Sequence, residues 1–187
     1  MEHPREQFEA FSRALDALES SGVPYAVTGS WAISAYGIVR GTHDLDLLIA
    51  AKVEDAPRLL AAFGPPYFRD EQWIPEALKS GSFFNIIDGD SSLKIDFWPV
   101  KEDAYSREQF ARRKQEKIGG RLSWVLTVED ILLAKLAWIK MSDSELQWRD
   151  VRSVWKLRGA DIDEEYIHRW AGVLAVTDLL ARLKESA

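Results

Sequence analysis

Between Glu6 and Leu18, apolar residues recur at three- and four-residue spacing (Phe8, Phe11, Leu15, Leu18), a period that predicts a helix with one buried face. Gly22 and Pro24 end it. Tyr25-Ala26-Val27-Thr28 reads as a short strand, and Gly29-Ser30 as a tight turn opening a brief helix through Trp31, Ile33 and Tyr36. Gly37 and Gly41 bracket a loop, after which Asp44-Leu45-Asp46-Leu47-Leu48-Ile49 is predicted to be a second strand. Glu54 to Phe63 then reads as a helix, closed by Gly64-Pro65-Pro66. Phe83 to Ile87 and Leu93 to Trp98 are predicted to pair as a hairpin across the turn-rich Asp88-Gly89-Asp90-Ser91-Ser92. Tyr105 to Lys114 is predicted helical, and Gly119-Gly120 joins two short strand pieces, the second from Arg121 to Leu126. From Thr127, with Asp130 three residues on as in a capping box, the pattern turns helical over residues 128–140, 144–157, 163–171 and 177–184.

Strands with interspersed helices come first and helices alone follow. That order predicts an α+β fold, α/β-like in character: a small mixed β-sheet flanked by helices over residues 1–126, with a helical C-terminal subdomain, residues 127–187, packed on it. A length of 187 residues suits one domain with such an appendage, and 47% hydrophobic with 29% charged residues is an ordinary globular balance. The chain has no Cys, which excludes a disulfide scaffold, thiol catalysis and cysteine-ligated metal sites, and fits a reducing compartment. Met1-Glu2-His3-Pro4-Arg5-Glu6 lacks the basic start and apolar run of a secretory signal. The apolar stretch Ile131 to Ile139 is interrupted by Lys135 and is less than half of the roughly 20 residues a membrane span needs. The expectation is a cytoplasmic protein with no membrane partner. A net charge of −6 argues against broad coating of nucleic acid, though not against a local basic groove.

Asp44 and Asp46 stand at i and i+2 of a strand, so both carboxylates share a face while Leu45 and Leu47 share the other. Held side by side and partly buried, they repel and raise at least one pKa unless a cation intervenes. In Lys94-Ile95-Asp96-Phe97-Trp98 the same alternation puts Lys94, Asp96 and Trp98 on one face. If the two strands are neighbours, three carboxylates meet, a donor set for one or two Mg²⁺ with positions left for phosphate oxygens and water. The rival reading is a row of solvated edge-strand charges. The flanking residues favour the first: a Gly29-Ser30 turn opening a helix offers backbone N–H groups and a hydroxyl to a triphosphate.

Thr28-Gly29-Ser30-Trp31, Arg40-Gly41-Thr42-His43-Asp44-Leu45-Asp46 and Lys94-Ile95-Asp96 together resemble the nucleotidyltransferase superfamily related to DNA polymerase beta. Its pattern is a Gly-Gly or Gly-Ser turn, a short helix, an Asp-x-Asp strand and a third Asp on a later strand. Within it, the chain looks most like small bacterial toxin-type proteins of toxin–antitoxin systems and, more loosely, like antibiotic-modifying nucleotidyltransferases. The resemblance spans roughly residues 24–140. It implies the nucleotidyltransferase fold and Mg²⁺-dependent transfer of an NMP from an NTP such as ATP to a hydroxyl. Asp44, Asp46 and Asp96 would be the catalytic and metal-binding set, Asp96 also helping to activate the acceptor, and Gly29 and Ser30 would hold the β- and γ-phosphates. It also implies an acceptor that is RNA, protein or a small molecule, and a possible cognate antitoxin. The alternative is a relative that binds nucleotide or a partner without catalysing transfer.

Outside that pattern, Arg40 on the loop entering the metal strand is a second nucleotide-binding candidate. Lys94 shares the face of Asp96 and is expected to pair with it, touch substrate, or both. Lys135, the one charge between Ile131 and Ile139, must either snorkel to water or reach a buried anion, and nucleotide phosphate is the favoured anion. His43 and Asp130 read as structural. Trp148, Val151 and Trp155 read as core, and Arg149, Arg152 and Lys156 as a solvated stripe that, with Arg112-Arg113-Lys114 and Lys117, is a possible RNA guide. A cationic antibiotic would suit a site with surplus negative charge. Walker A, G-x-G-x-x-G, G-x-S-x-G and H-E-x-x-H patterns are all absent from the sequence.

Overall fold

A computed structural model describes residues 4–38, 41–142 and 144–186. The amphipathic start forms α1 (Pro4–Ser20), followed by β1 (Tyr25–Val27), α2 (Gly29–Ala35) and β2 (Asp44–Ile49). Next come α3 (Ala56–Ala62), β3 (Tyr67–Arg69), α4 (Trp73–Ser80), β4 (Phe84–Asp88) and β5 (Lys94–Pro99). The remainder is α5 (Ala104–Ala111), β6 (Lys114–Ile118), β7 (Arg121–Val125), α6 (Val128–Ser142), α7 (Glu145–Arg158), α8 (Glu164–Val173) and α9 (Thr177–Ser186). The described strands form one mixed sheet in the order β3-β4-β5-β2-β1-β7-β6. The α+β class and the helical C-terminal run are therefore as the hydrophobic pattern predicts.

One local expectation is corrected and two unread elements are added. The helix expected to reach Lys114 stops at Ala111, because Lys114 opens β6 and pairs with Val125 of β7; long-range pairing overrides local propensity there. The stretch between Pro66 and Phe83 holds β3 and α4, which the periodicity did not reveal. β3 has only three residues, and α4 carries Pro75 in its first turn, where proline is tolerated because that N–H needs no helical partner.

Two features of the sheet build the site. β2 lies between β5 and β1, parallel to the first and antiparallel to the second. One face carries Leu45, Leu47, Ile95 and Phe97, fully buried beside Phe63 and Phe84. The other carries Asp44, Asp46, Lys94, Asp96 and Trp98, toward α6. The C-terminal helices share one hydrophobic core with the sheet, and the Tyr36 hydroxyl donates to the Leu126 carbonyl at 2.7 Å, tying α2 to the entrance of α6. No helix among the described residues is long and apolar enough to cross a membrane.

Asp130 is the most deeply buried carboxylate of that junction. It accepts hydrogen bonds from Thr127 Oγ1 and the Tyr166 hydroxyl, both at 2.7 Å, which confirms its structural place at the start of α6. Burial pushes its pKa up to about 6 against the pull of those two donors. A pKa raised by folding favours the fold while the group is protonated, so this contribution is full below the unfolded value, roughly 4, and is lost as pH rises through 6. In Asp130→Asn the loss of stability between pH 4 and 7, read from urea midpoints, is expected to shrink by about 2–3 kcal/mol relative to wild type.

Candidate functional site

The register of β2 against β5 sets the centre: Asp44 lies opposite Lys94, and Asp46 opposite Asp96. Two carboxylates from separate segments thus meet side by side, as the strand alternation predicts if the strands are neighbours. Burial first, then the charges of Asp96 and Asp44, raise the Asp46 pKa, while a hydrogen bond from the Trp98 side chain opposes the rise. Asp96 is answered by Lys94, whose Nζ donates to Oδ2 at 2.7 Å. Burial works against the Lys94 ammonium, but the hydrogen bond and charge of Asp96 outweigh it and hold the lysine pKa above its ordinary value. The other oxygen, Asp96 Oδ1, is buried without a hydrogen-bond partner among the described residues.

β1 delivers the glycine turn to the same point. Thr28 N–H donates to the Asp46 carbonyl at 3.0 Å, so Gly29 follows directly beside that carboxylate. Gly29 has φ +63°, in the left-handed region that favours glycine, and an added Cβ would lie 2.1 Å from Asp46 Oδ2. The missing side chain is thus the space the carboxylate occupies. Gly29, Ser30 and Asp46 line a cleft of about 830 Å³ that runs beneath α6 past Trp98, Trp138 and Lys135.

Lys135 does not snorkel. It is buried, and its Nζ donates to Asp150 Oδ2 at 2.9 Å and Gln147 Oε1 at 2.7 Å. The buried anion expected for it is supplied by the protein itself, while its position on the cleft wall keeps its charge near Asp46. Arg40 lies outside the described residues. Thr42 Oγ1 accepts the Asp44 N–H at 3.3 Å, a loop cap, and the His43 carbonyl accepts the Lys94 N–H at 3.0 Å. Arg112 stacks on Tyr166 and faces Glu129 and Asp163, and Arg113 stacks on Phe110 and Trp124. The possible RNA guide therefore spends two of its cations on internal contacts.

Sequence reasoning gave no role to Trp98, Asp150 or Gln147. Trp98 was visible on the face of Asp96, whereas Asp150 had one signal only, the need of an isolated lysine for a counter-charge.

The arrangement fits a hard divalent cation: a buried carboxylate oxygen without a donor, a second carboxylate whose pKa is raised by burial and then by its acidic neighbours, and a cradle that only glycine leaves open. Among the described residues, no three acidic or imidazole groups are gathered as a finished cage. Asp46 and Asp96 are the two carboxylates in register, and a Mg²⁺ ion there would need phosphate oxygens and water to complete its coordination.

No protein-family model matches the chain, and no curated protein sequence does. Solved structures do. The chain is similar to the antibiotic-resistance factor ANT(2'')-Ia at 18% identity, covering 98% of both chains with a TM-score of 0.60. In complex with adenylyl-2''-tobramycin, that protein matches with a TM-score of 0.58, at 18% identity over 91% of this chain and 97% of the other. The lincosamide antibiotic adenylyltransferase LnuA, lincomycin-bound, matches at 16% identity over 83% of this chain and 98% of its own, with a TM-score of 0.54. At these identities the likeness establishes the fold: this is a nucleotidyltransferase fold, as the sequence resemblance implies.

Proposed function

We propose that the chain is a Mg²⁺-dependent nucleotidyltransferase that moves an NMP from an NTP to the hydroxyl of a small-molecule acceptor and releases pyrophosphate. The observation that carries this reading is the register of Asp46 against Asp96, with the Gly29 turn fitted against the Asp46 carboxylate. Asp44 and Asp46 on β2 would hold the metal, and Asp96 on β5 would complete the site. When bound, Mg²⁺ neutralises charge that develops on the α-phosphate and the leaving pyrophosphate.

The remaining work falls to the chain. The Gly29 backbone and the Ser30 hydroxyl hold the β- and γ-phosphates. Lys135, fixed by Asp150 and Gln147, presents a donor on the cleft wall whose charge Asp150 largely offsets. Asp96 orients the acceptor hydroxyl and takes its proton, and the hydrogen bond from Lys94 holds that carboxylate in place. A small-molecule acceptor is supported by the antibiotics named with the similar structures and by the internal use of Arg112 and Arg113, which leaves less cationic surface for RNA. A cognate antitoxin rests on the sequence resemblance to toxin-type proteins alone.

The reading is tested by incubating the protein with each α-labelled NTP and a panel of small alcohols that includes lincomycin and tobramycin, with Mg²⁺ or with EDTA. Label transfer with pyrophosphate release, abolished by EDTA, is the expected result. Mg²⁺-dependent NTP binding with no release for any acceptor would instead establish the non-catalytic binder.

A further inference from the structure

Past Asp96, the face that carries the carboxylates continues as an apolar shelf. Phe83 lies against Trp98 with ring centroids 4.8 Å apart, and Asn85 is in register with Asp96. Ile87 follows opposite Lys94, and Phe68 of β3 opposite Ile87. These residues are open to solvent: Phe83 is 37% exposed, Ile87 40% and Phe68 68%. Trp138 of α6, 49% exposed, stands edge-on to Trp98 at 6.5 Å. The intervening residues of β4, Phe84 and Ile86, are buried on the opposite face, so the core is complete without the outward row. Asn85 divides the row into Phe83 with Trp98 on one side of Asp96 and Ile87 with Phe68 on the other, and large apolar side chains left exposed on both flanks of a reacting centre mark a ligand surface.

The charges around the shelf narrow what it takes. Asp96 is already matched by Lys94, whose Nζ also sits 5.7 Å from the Phe83 ring centroid. Asp103, also on the cleft wall, is occupied as the cap of α5, accepting Ser106 N–H at 2.9 Å and Ser106 Oγ–H at 2.7 Å. Lys101 lines the same cleft. With Asp44 and Asp46 taken by the metal on the nucleotidyltransferase reading, Asp96 paired with Lys94 and Asp103 capping α5, a polycation would meet two lysines and little uncompensated negative charge, whereas an uncharged ring would meet aromatic faces.

We infer that this shelf is the acceptor site, and that it takes a hydroxyl carried on a flat, apolar-faced, uncharged ring compound; the inference rests on the nucleotidyltransferase reading. The ring lies on Phe83 and Trp98, the hydroxyl reaches Asp96, and the substituent beyond it lies toward Ile87 on the other side of Asn85. The acceptor oxygen forms a bond to the α-phosphorus, the bond from that phosphorus to the oxygen bridging it to the β-phosphate breaks, pyrophosphate leaves with the electron pair, and the hydroxyl proton passes to Asp96.

Calorimetric titration of the protein, saturated with Mg²⁺ and a nonhydrolysable α,β-methylene analogue of ATP, with para-nitrophenyl glucoside and with tobramycin tests this in wild type, Phe83→Ala and Ile87→Ser. Both positions are exposed, so the fold is expected to persist. The wild type is expected to bind the glucoside more tightly than tobramycin, and each substitution to weaken glucoside binding about tenfold at unchanged affinity for the Mg²⁺–analogue complex. Equal or tighter tobramycin binding, or glucoside binding indifferent to both substitutions, would overturn the acceptor assignment. Loss of the nucleotidyltransferase reading looks different: the wild type then fails to bind the Mg²⁺–analogue complex, and the glucoside titration of the protein alone still decides what the shelf takes.

Discussion

Asp96→Asn is expected to lower the rate of NMP transfer by about 10²–10⁴-fold while Mg²⁺–NTP binding stays within a few fold of wild type. Asparagine has the shape of the carboxylate but is too weak a base to take the acceptor proton. The carboxylate sits opposite Asp46 with one oxygen on Lys94 and the other buried without a donor, so its value to the protein lies in its charge. Binding survives for a related reason. Of the two neighbouring carboxylates that hold the Asp46 pKa up, Asp96 contributes more, and its removal makes Asp46 easier to ionise. Asp46 and Asp44 then retain the metal together with the phosphates. Single-turnover transfer measured beside calorimetric NTP binding separates the two effects. Wild-type transfer by the variant would remove Asp96 from the mechanism.

The parts of this site that were legible in the sequence are those set by strand period. Alternation alone places Asp44 with Asp46, and Lys94 with Asp96 and Trp98. Which strand neighbours which is a long-range choice, and the sequence supplied it only through resemblance to a family. The same limit hid the partner of Lys135. Apolar spacing along α6 marks the lysine as anomalous, but Asp150 stands on the next helix, and only the packing of α6 on α7 joins them. β3 and α4 failed to show for a local reason, being too short for a period to establish itself. Their loss from the sequence reading mattered, because β3 and β4 carry the outward row of Phe68, Ile87 and Phe83.

The most severe single change is expected at a residue with no side chain. In Gly29→Ala the new methyl would lie 2.1 Å from Asp46 Oδ2, 2.9 Å from its Cγ and 3.1 Å from its Cβ, so that carboxylate must move. The backbone adds its own penalty, since φ is +63° there and alanine in the left-handed region costs roughly 1–2 kcal/mol. Against a typical folding stability of about 5–15 kcal/mol the chain should stay folded with a lowered melting temperature. Function has no such margin. Asp46 is held by register with Asp96 and by the Trp98 side chain, so displacing it disturbs the metal donors and the phosphate turn at once. Turnover is expected to fall at least about 10²-fold, as for an angstrom-scale displacement of a reacting group, and Mg²⁺-dependent NTP binding should weaken with it. That joint loss distinguishes Gly29→Ala from Asp96→Asn, which is expected to spare binding. Calorimetry with and without Mg²⁺, alongside thermal melting, checks both halves, and unchanged Mg²⁺-dependent affinity in a folded Gly29→Ala protein would show that Asp46 does not hold the metal.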